Sequence, residues 1–287
     1  MKTTVGIVNW NSGHLLEVCV ESILGESALN VFVFDNGSQD ESLNLTSSAS
    51  CRVQVVRSSE NRGFAGGVNE IFRRTDTRYV LLLNPDIRVL PGSIQLMEEF
   101  MDTHPRAAVV GGYVGEKYPP RNLPTMYSLV LENLGIGQGK WGRLPISGTE
   151  IGRRPHFLQV EQVAAAAIMI RREPYKDTPI FDERFYPAWY EDVDFCRRLK
   201  RDNWEVYFAP HAKFDHSGGY SAKTMGNARF ISAYYRNQIR YAEKWLKWYE
   251  AALVRASVVV GVIGRSIVRP WNAAGYVRVL FGALIGW

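Results

Sequence analysis

The stretch Tyr190-Glu191-Asp192-Val193-Asp194 puts three carboxylates into the four positions 191–194, just ahead of an apolar and basic run. Capping and the positive end of a helix dipole explain one or two acids there. A third, with Trp189 and Tyr190 before it, points to a carboxylate held for general-base work. A second candidate closes the apolar run Leu81-Leu82-Leu83 as Asn84-Pro85-Asp86. A lone carboxylate at the tip of a buried segment is costly unless it is paired or bound to a cation. Asp86 therefore reads either as a ligand of Mg2+ or Mn2+ clamping a diphosphate or as an ordinary strand-end turn. His216, before Ser217-Gly218-Gly219, reads as a loop histidine able to ligate metal or touch phosphate, although most loop histidines do neither. His14, His104, His156 and His211 carry no such signal.

Two more segments have the composition of binding loops. Asp35-Asn36-Gly37-Ser38-Gln39-Asp40 follows an apolar run. Its first carboxylate can accept hydrogen bonds from a nucleobase or a ribose, while Asn, Gly and Ser make a turn and Ser38 or Asp40 caps the next helix. The same residues also suit a capped turn with no ligand. Glu60-Asn61-Arg62-Gly63-Phe64-Ala65-Gly66-Gly67-Val68-Asn69 is a glycine-rich loop opening a helix. Such a loop brings backbone N–H groups to phosphate oxygens, and Arg62 can add a charged contact. Its glycines equally suit close helix–strand packing.

The elements that must position these residues alternate in the first third of the chain. Val5–Val8, Val31–Phe34, Val53–Val56 and Tyr79–Leu83 read as strands. Leu15–Leu24, Ser42–Ser48 and Ala65–Arg74 read as helices. Short apolar strands alternating with helices imply a mostly parallel sheet covered on both faces, with its ligand crevice at the strands' C-terminal ends. The candidate residues fall just there. From Gly111 to Pro155 glycines and prolines interrupt regular structure, so a long loop region is expected. Val160–Ile170 reads as one strand-like run, Phe185–Arg201 carries the acidic cluster into a helix, Val206–Ala209 is a late strand, and the chain is helical from about Ala228.

The chain has 287 residues, 46% apolar and 22% charged, which suits a globular α/β protein and excludes disordered and collagen-like classes. Cys19, Cys51 and Cys196 form no CxxC, which argues against a disulfide framework or structural zinc and suits a reducing compartment. The early apolar run Val5–Val8 is too short for a signal peptide, and no uncharged stretch has the ~18–20 residues of a membrane span. Basic residues are not interleaved with aromatics on the catalytic part, so nucleic acid is not expected as a partner.

Taken in order, the segments resemble the inverting nucleotide-sugar glycosyltransferases of family 2, which have the GT-A fold. They are VNWN (Val8–Asn11), VFDNGSQD (Val33–Asp40), ENRGFAGGVN (Glu60–Asn69), LLLNPD (Leu81–Asp86), AAAAIMIRR (Ala164–Arg172), FDERFYPAWYEDVDFCRRL (Phe181–Leu199) and HSGGYS (His216–Ser221). The likeness is greatest to the rhamnosyltransferase-like branch, which builds lipid-linked cell-wall and surface glycans. It implies a Rossmann-like, mostly parallel mixed sheet flanked by helices in a catalytic domain over 1–225. The nucleotide-sugar half would span about 1–110, the acceptor half about 111–225, and a helical extension 226–287. It implies Asp192 as the general base, with Glu191 orienting the acceptor beside Trp189 and Tyr190. Donor contacts would come from Asn9, Asn11, Asp35, Asn36, Asn61, Arg62, Gly63, Phe64, Gly66, Asn69 and Asn84. Asp86 would be the main ligand of Mg2+ or Mn2+, with His216 as a second. The donor would be dTDP-rhamnose or else a UDP-sugar, and the acceptor a hydroxyl on a glycan or polyprenyl-diphosphate-linked sugar. Two positions depart from the pattern: Asn84 replaces an acid of the usual DxD, and Glu70-Ile71 stands where a small residue is common. A sugar nucleotidyltransferase, or a binding protein with a degenerate site, is the alternative.

Between Ala251 and Trp287 there are four arginines and no acid, so this segment carries four of the five net positive charges. On a helix Arg255, Arg265 and Arg269 fall within about 80° of one another, beside valines, isoleucines and leucines, with Trp271 and Trp287 nearby. A basic stripe along an apolar helix reads as an interfacial anchor on an anionic membrane, broken in two by Pro270. The expected location is cytoplasmic, peripheral at the inner face of the cell membrane. Packing on the catalytic part or in a homo-oligomer is the alternative.

Overall fold

β1 (Thr3–Asn9) is buried along its whole length. A strand covered on both faces needs apolar residues on both, and TTVGIVN supplies them: Val5 and Ile7 enter one core, Val8 the opposite one. α1 (Leu15–Leu24) buries Leu16, Cys19, Val20 and Ile23 at helical spacing. The computed structural model describes residues 2–26, 29–45, 52–137, 143–144, 156–175, 178–216 and 225–287. Residues 42–45 are turn or irregular chain and not the start of a helix; the rest of that expected helix, Cys51, and residues 217–221 of HSGGYS lie outside the described residues.

The remaining elements are, in chain order, β2 (Asn30–Asp35), β3 (Val53–Arg57), α2 (Gly63–Arg74), β4 (Tyr79–Leu83), β5 (Ile87–Val89), α3 (Ser93–Thr103), β6 (Ala107–Tyr113), α4 (Met126–Asn133), β7 (Leu158–Val160) and β8 (Ala167–Arg171). After them come α5 (Glu191–Arg201), β9 (Glu205–His216), α6 (Asn227–Trp245), α7 (Trp248–Val268) and α8 (Ala273–Ile285), with Pro270 opening a short turn between the last two. Among the described residues nine strands form one sheet in the order β3-β2-β1-β4-β8-β6-β9-β5, with β7 also on β9. The strands from β3 to β4 are parallel, β8 enters antiparallel to both β4 and β6, and β6 and β9 are parallel. The result is a mixed α/β sheet flanked by helices.

Three expectations change. The glycine- and proline-rich region contains the end of β6 and the helix α4, the latter opened by a Thr125–Ser128 capping box. The run 160–170 is two strands, β7 and β8, separated by residues 161–166. His216 is not in a loop: it ends the twelve-residue β9, paired with Ile87.

α2 lies close on the sheet because two glycines leave room. A Cβ on Gly6 would stand 2.7 Å from Ile71, and one on Gly67 2.6 Å from Val8. The twin arginines at the end of β8 fix both flanking helices. Arg171, 1% exposed, donates to the carbonyls of Ala107, Met101 and His104. Arg172 donates to the carbonyls of Phe72 and Thr77 and to Thr75 Oγ1 at the end of α2.

The C-terminal helices are joined to the sheet as well as to each other. Tyr241 and Ala242 of α6 and Ala251 and Val254 of α7 enter one of the two main cores. Ile239, Val258, Val262, Tyr276, Val279 and Ala283 form a smaller core of their own. The arginine stripe is partly consumed inside the protein. Arg265 donates to the carbonyls of Asn133 (2.5 Å) and Glu132 (2.9 Å), capping α4. Arg255 pairs with Glu243 and donates to Ala283 O. An apolar stripe instead faces outward along α7, where Tyr249, Leu253, Val260, Ile263 and Ile267 are exposed, and it continues through Trp271, Val277, Phe281 and Leu284. Although it also carries Arg255 and Arg265, α7 is long and apolar enough to cross a membrane; its best 18-residue window has mean hydropathy 1.8 and is 33% buried in the protein.

Candidate functional site

The C-terminal ends of β1, β2 and β4 lie side by side, with Asn9 opposite Asp35 and Ile7 opposite Leu83. Asp35 is fully buried. Its Oδ1 accepts from Asn9 Nδ2 (2.8 Å) and Ser38 Oγ (2.5 Å), and its Oδ2 accepts from Ser38 N–H (3.0 Å). Arg57 Nε stands 3.5 Å from the same carboxylate. Asn11, at φ 48°, accepts from Gln39 N–H through Oδ1 (2.7 Å), while its own N–H donates to Ser38 Oγ. Asn9, Asn11 and Asp35 thus zip the first two strand-end loops together and shape the crevice floor.

Asn36 joins this floor to the glycine loop. Its Nδ2 donates to Gly63 O (3.0 Å), and its Oδ1 accepts from Arg62 N–H (3.2 Å). Asn61 Oδ1 accepts from Gly63 N–H (2.8 Å). Gly63 sits at φ +75°, where a Cβ would meet Tyr186 at 2.8 Å and Pro187 O at 2.9 Å, so glycine is required on both counts. Phe64 N–H donates to Pro187 O (2.7 Å). Gly66 packs against Arg62. Asn69 pairs through its amide with both backbone groups of Phe181 and with Glu183. The departing residue Glu70 collects Arg62, Arg73 and Arg74, and these hydrogen bonds pull its carboxyl down to about 2. The loop is therefore braced against residues 181–187, well ahead of the acidic cluster in sequence but beside it in space.

Asn84 N–H donates to Ala166 O and Asn84 O accepts from Ile87 N–H, so the Asn-Pro-Asp turn is locked to its neighbours. Asp86 and His216 are brought together by the β5–β9 ladder: Oδ1 and Nε2 are 3.2 Å apart, with side chains 8% and 4% exposed. His216 Nδ1 is buried without a hydrogen-bond partner. A carboxylate oxygen and the imidazole Nε2 side by side suit a divalent cation of the Mn2+ type. Among the described residues no group of three or more His, Cys, Asp or Glu is placed to hold a metal. The remaining ligands of such an ion would come from diphosphate oxygens and water.

The acidic cluster opens α5. Glu191 is buried with its Oε2 unpartnered, and burial, helped by the neighbouring Asp192 charge, pushes its carboxyl well up. Asp192 accepts from Val193 N–H (2.8 Å) and Ala165 N–H (3.2 Å); burial raises its pKa, opposed by those bonds and by Arg121. Asp194 is committed elsewhere, accepting from Trp245 Nε1 (2.8 Å) and pairing with Lys244 Nζ (2.6 Å) and Arg198. Of the three acids, Asp192 and Glu191 line a cavity of about 640 Å³ with Trp189, Tyr190, Gln162 and Arg121. Trp189 and Tyr190 both adopt left-handed backbone (φ 74° and 75°), held by Asn237 Nδ2, which reaches the carbonyls of Ala188 (2.8 Å) and Trp189 (3.2 Å).

Several site residues carried no sequence signal. Tyr118 lines the cavity and lies 4.8 Å ring to ring from His216, joining the base pocket to the Asp86–His216 pair. Arg121 and Arg143 line the same cavity from the glycine- and proline-rich region. Asn237 and Tyr234 come from α6, read only as helical; the adjacency of an Asn to three carbonyls appears only in three dimensions.

The family description "Glycosyl transferase family 2" matches residues 4–178. The N-acetylglucosaminyl-diphospho-decaprenol L-rhamnosyltransferase of Mycobacterium tuberculosis is 24% identical over 251 residues, covering 81% of this chain and 80% of that protein. A low-salt glycan biosynthesis hexosyltransferase of Haloferax volcanii is 24% identical over 206 residues, covering 70% and 62%. Among solved structures, GalNAc-T7 with UDP, GalNAc and Mn2+ superposes with a TM-score of 0.67 at 13% identity, covering 99% of this chain and 56% of that one. The mannosyltransferase PcManGT of Pyrobaculum calidifontis, in complex with GDP-Man and Mn2+, gives 0.59 at 13% identity, covering 99% and 87%.

Proposed function

This chain belongs to glycosyltransferase family 2, with the GT-A fold, and from that premise we propose that it transfers a sugar, with inversion, from a nucleoside-diphosphate donor to a hydroxyl of a polyprenyl-diphosphate-linked acceptor. The observation that carries this is the placement of Asp192, raised by burial, in a cavity that Tyr118 joins to the Asp86–His216 pair. Asp192 takes the proton from the acceptor hydroxyl as that oxygen attacks the anomeric carbon. The donor's diphosphate leaves on the opposite side, so one displacement inverts the centre, as in inverting glycosidases. Asp86 and His216 would hold Mn2+ or Mg2+, which supplies charge stabilisation for the departing diphosphate. Asn36, Asn61 and the Gly63 loop shape the donor side; Trp189, Glu191 and Gln162 shape the acceptor side.

The relative from M. tuberculosis motivates dTDP-rhamnose as the first donor to test and a diphospho-polyprenol sugar as the acceptor class, with surface-glycan synthesis as the setting. A lipid-linked acceptor fits the outward apolar stripe of α7 and α8, which we place on the inner face of the cell membrane, with exposed Arg269 and Arg278 at its headgroups. The test is a panel of nucleotide sugars with and without Mn2+ or Mg2+, scored for nucleoside diphosphate and, by NMR, for the anomeric configuration of the product. Nucleoside diphosphate with inverted product is expected. Pyrophosphate released from a nucleoside triphosphate and a sugar phosphate would replace this reading with nucleotidyl transfer.

A further inference from the structure

Arg121 and Arg143 face one another across an isolated antiparallel bridge, and Arg121 bridges Gln162 on its other side. Residues directly opposite across such a bridge bring their side chains to the same face, and like charges there repel. No carboxylate of a described residue lies within ion-pair distance of either guanidinium. The repulsion registers as a downward push on the Arg143 guanidinium from burial and from the Arg121 charge, only partly offset by Glu132. Both arginines line the cavity that holds Asp192 and Glu191. The same cavity contains two buried oxygens without hydrogen-bond partners, Gln162 Oε1 and Glu191 Oε2, suited to sugar hydroxyls.

We propose that Arg121 and Arg143 form a clamp for the acceptor's diphosphate, so that this cavity reads a sugar at Asp192 and Gln162 and an anion at the arginine pair. The assignment rests on the lipid-linked acceptor of the proposed function. An anion between the two guanidiniums would offset the repulsion that the described residues leave standing, and the planar forks suit phosphate oxygens. The donor's diphosphate is the other source of the same chemistry. The acceptor is favoured because the arginines line the base pocket, with Tyr118 standing between that pocket and the Asp86–His216 pair.

Farnesyl diphosphate is the probe, titrated by calorimetry in EDTA so that no metal–diphosphate site forms. The wild-type chain is expected to bind it at least tenfold more tightly than farnesyl phosphate. The double variant R121Q/R143Q should bind the two alike, while keeping its affinity for dTDP and UDP in Mn2+ within twofold. R121K/R143K should recover part of the preference, and R143Q alone, at an exposed position, serves if the double variant does not fold. Unchanged farnesyl diphosphate affinity in the variants, no binding by wild type, or a loss that falls on dTDP or UDP overturns the clamp. Kinetics with a prenyl-diphosphate sugar separate the two readings. Transfer with unchanged acceptor KM in R121Q/R143Q removes the clamp and leaves the acceptor class. Arginine-dependent probe binding without transfer to any such sugar leaves a diphosphate site at the arginines but overturns its assignment to the acceptor, together with the acceptor class.

Discussion

Replacing Asp192 by Asn tests the base assignment at the atoms that define it. The wild-type carboxylate accepts one backbone N–H on each oxygen, from Val193 at 2.8 Å and from Ala165 at 3.2 Å. An Asn side chain offers one oxygen and one NH2, so one of those N–H groups must face a donor, at a cost of about 1–2 kcal/mol. Against this, the neutral amide escapes the burial penalty that raises the Asp192 pKa. The two effects oppose, and net stability should shift by no more than about 1 kcal/mol, or about 2–4 °C in Tm. Loss of a general base costs ~10²–10⁴ in rate, about 2.7–5.4 kcal/mol of transition-state stabilisation. That loss exceeds anything the fold change can produce. In a nucleoside-diphosphate release assay, kcat should fall by that factor while donor affinity, measured by calorimetry, stays within threefold. The acid limb of the wild-type kcat/KM profile should lie above the ordinary aspartate value of 3.8, because burial favours the protonated form and activity returns as pH rises through the folded pKa. An Asp192→Asn enzyme retaining kcat within a fewfold of wild type would sink the assignment.

Two buried glutamates should respond to pH in opposite senses. Glu70 is held at about 2, below its ordinary 4.5, by arginines whose side chains are 32–58% exposed, so after solvent screening it contributes about 1–2 kcal/mol at neutral pH. Glu70→Gln should lower Tm at pH 7 by about 2–8 °C, and the gap should shrink as pH falls from 4.5 towards 2; a gap independent of pH would contradict the ion cluster as its source. Glu191 is pushed up by burial, so the folded chain binds its proton more tightly and loses stability as pH rises from 4.5 through the raised value. Glu191→Gln should therefore gain Tm relative to wild type as pH rises above 4.5, and parallel melting curves would argue against a buried protonated carboxyl. For the proposed membrane contact, truncating the tail is the wrong test, because Ala251 and Val254 belong to one of the two main cores. Substituting the exposed Ile267, Trp271 and Phe281 together by Asp should abolish sedimentation with anionic liposomes without changing Tm; unimpaired binding would place the contact elsewhere.

The parallel half of the sheet was legible because its strands are buried on both faces and its helices repeat at helical spacing. Leu15–Leu24 and Tyr79–Leu83 were readable to the residue for that reason. Harder were elements whose partners are distant in sequence. β5 is three residues long and exists through its pairing with β9, a ladder about 125 residues or more apart in sequence that also turns His216 from an expected loop residue into a buried neighbour of Asp86. The helix α4 hides among glycines and prolines, and only its Thr125–Ser128 capping box marks it locally. The three acids of 191–194 could not be ranked by spacing alone; Lys244 and Trp245, about fifty positions on, are what remove Asp194 from the cavity's chemistry.

The C-terminal helices complete the candidate site as well as extending the fold. Two consecutive non-glycine residues, Trp189 and Tyr190, are held in left-handed backbone, a conformation that costs of order 1–3 kcal/mol at each position and needs outside support. That support is Asn237 on α6, whose amide reaches the carbonyls of Tyr186, Ala188 and Trp189. Arg236 adds a bond to Tyr186 O, and Tyr234 and Tyr241 pack on the Tyr190 ring. The same 186–190 segment touches Gly63 and Phe64 at its other end. One strained turn therefore sets the direction of α5, the seat of Asp192 and the rim of the glycine loop together. Because α6 is itself seated through Tyr241 and Ala242 in the main core and clasped by α7 and α8, a force on the apolar outer face of those helices acts on the same body that fixes the base. Under the proposed function, an acceptor drawn from a membrane would meet a site whose geometry is held by the helices that carry the outward apolar stripe.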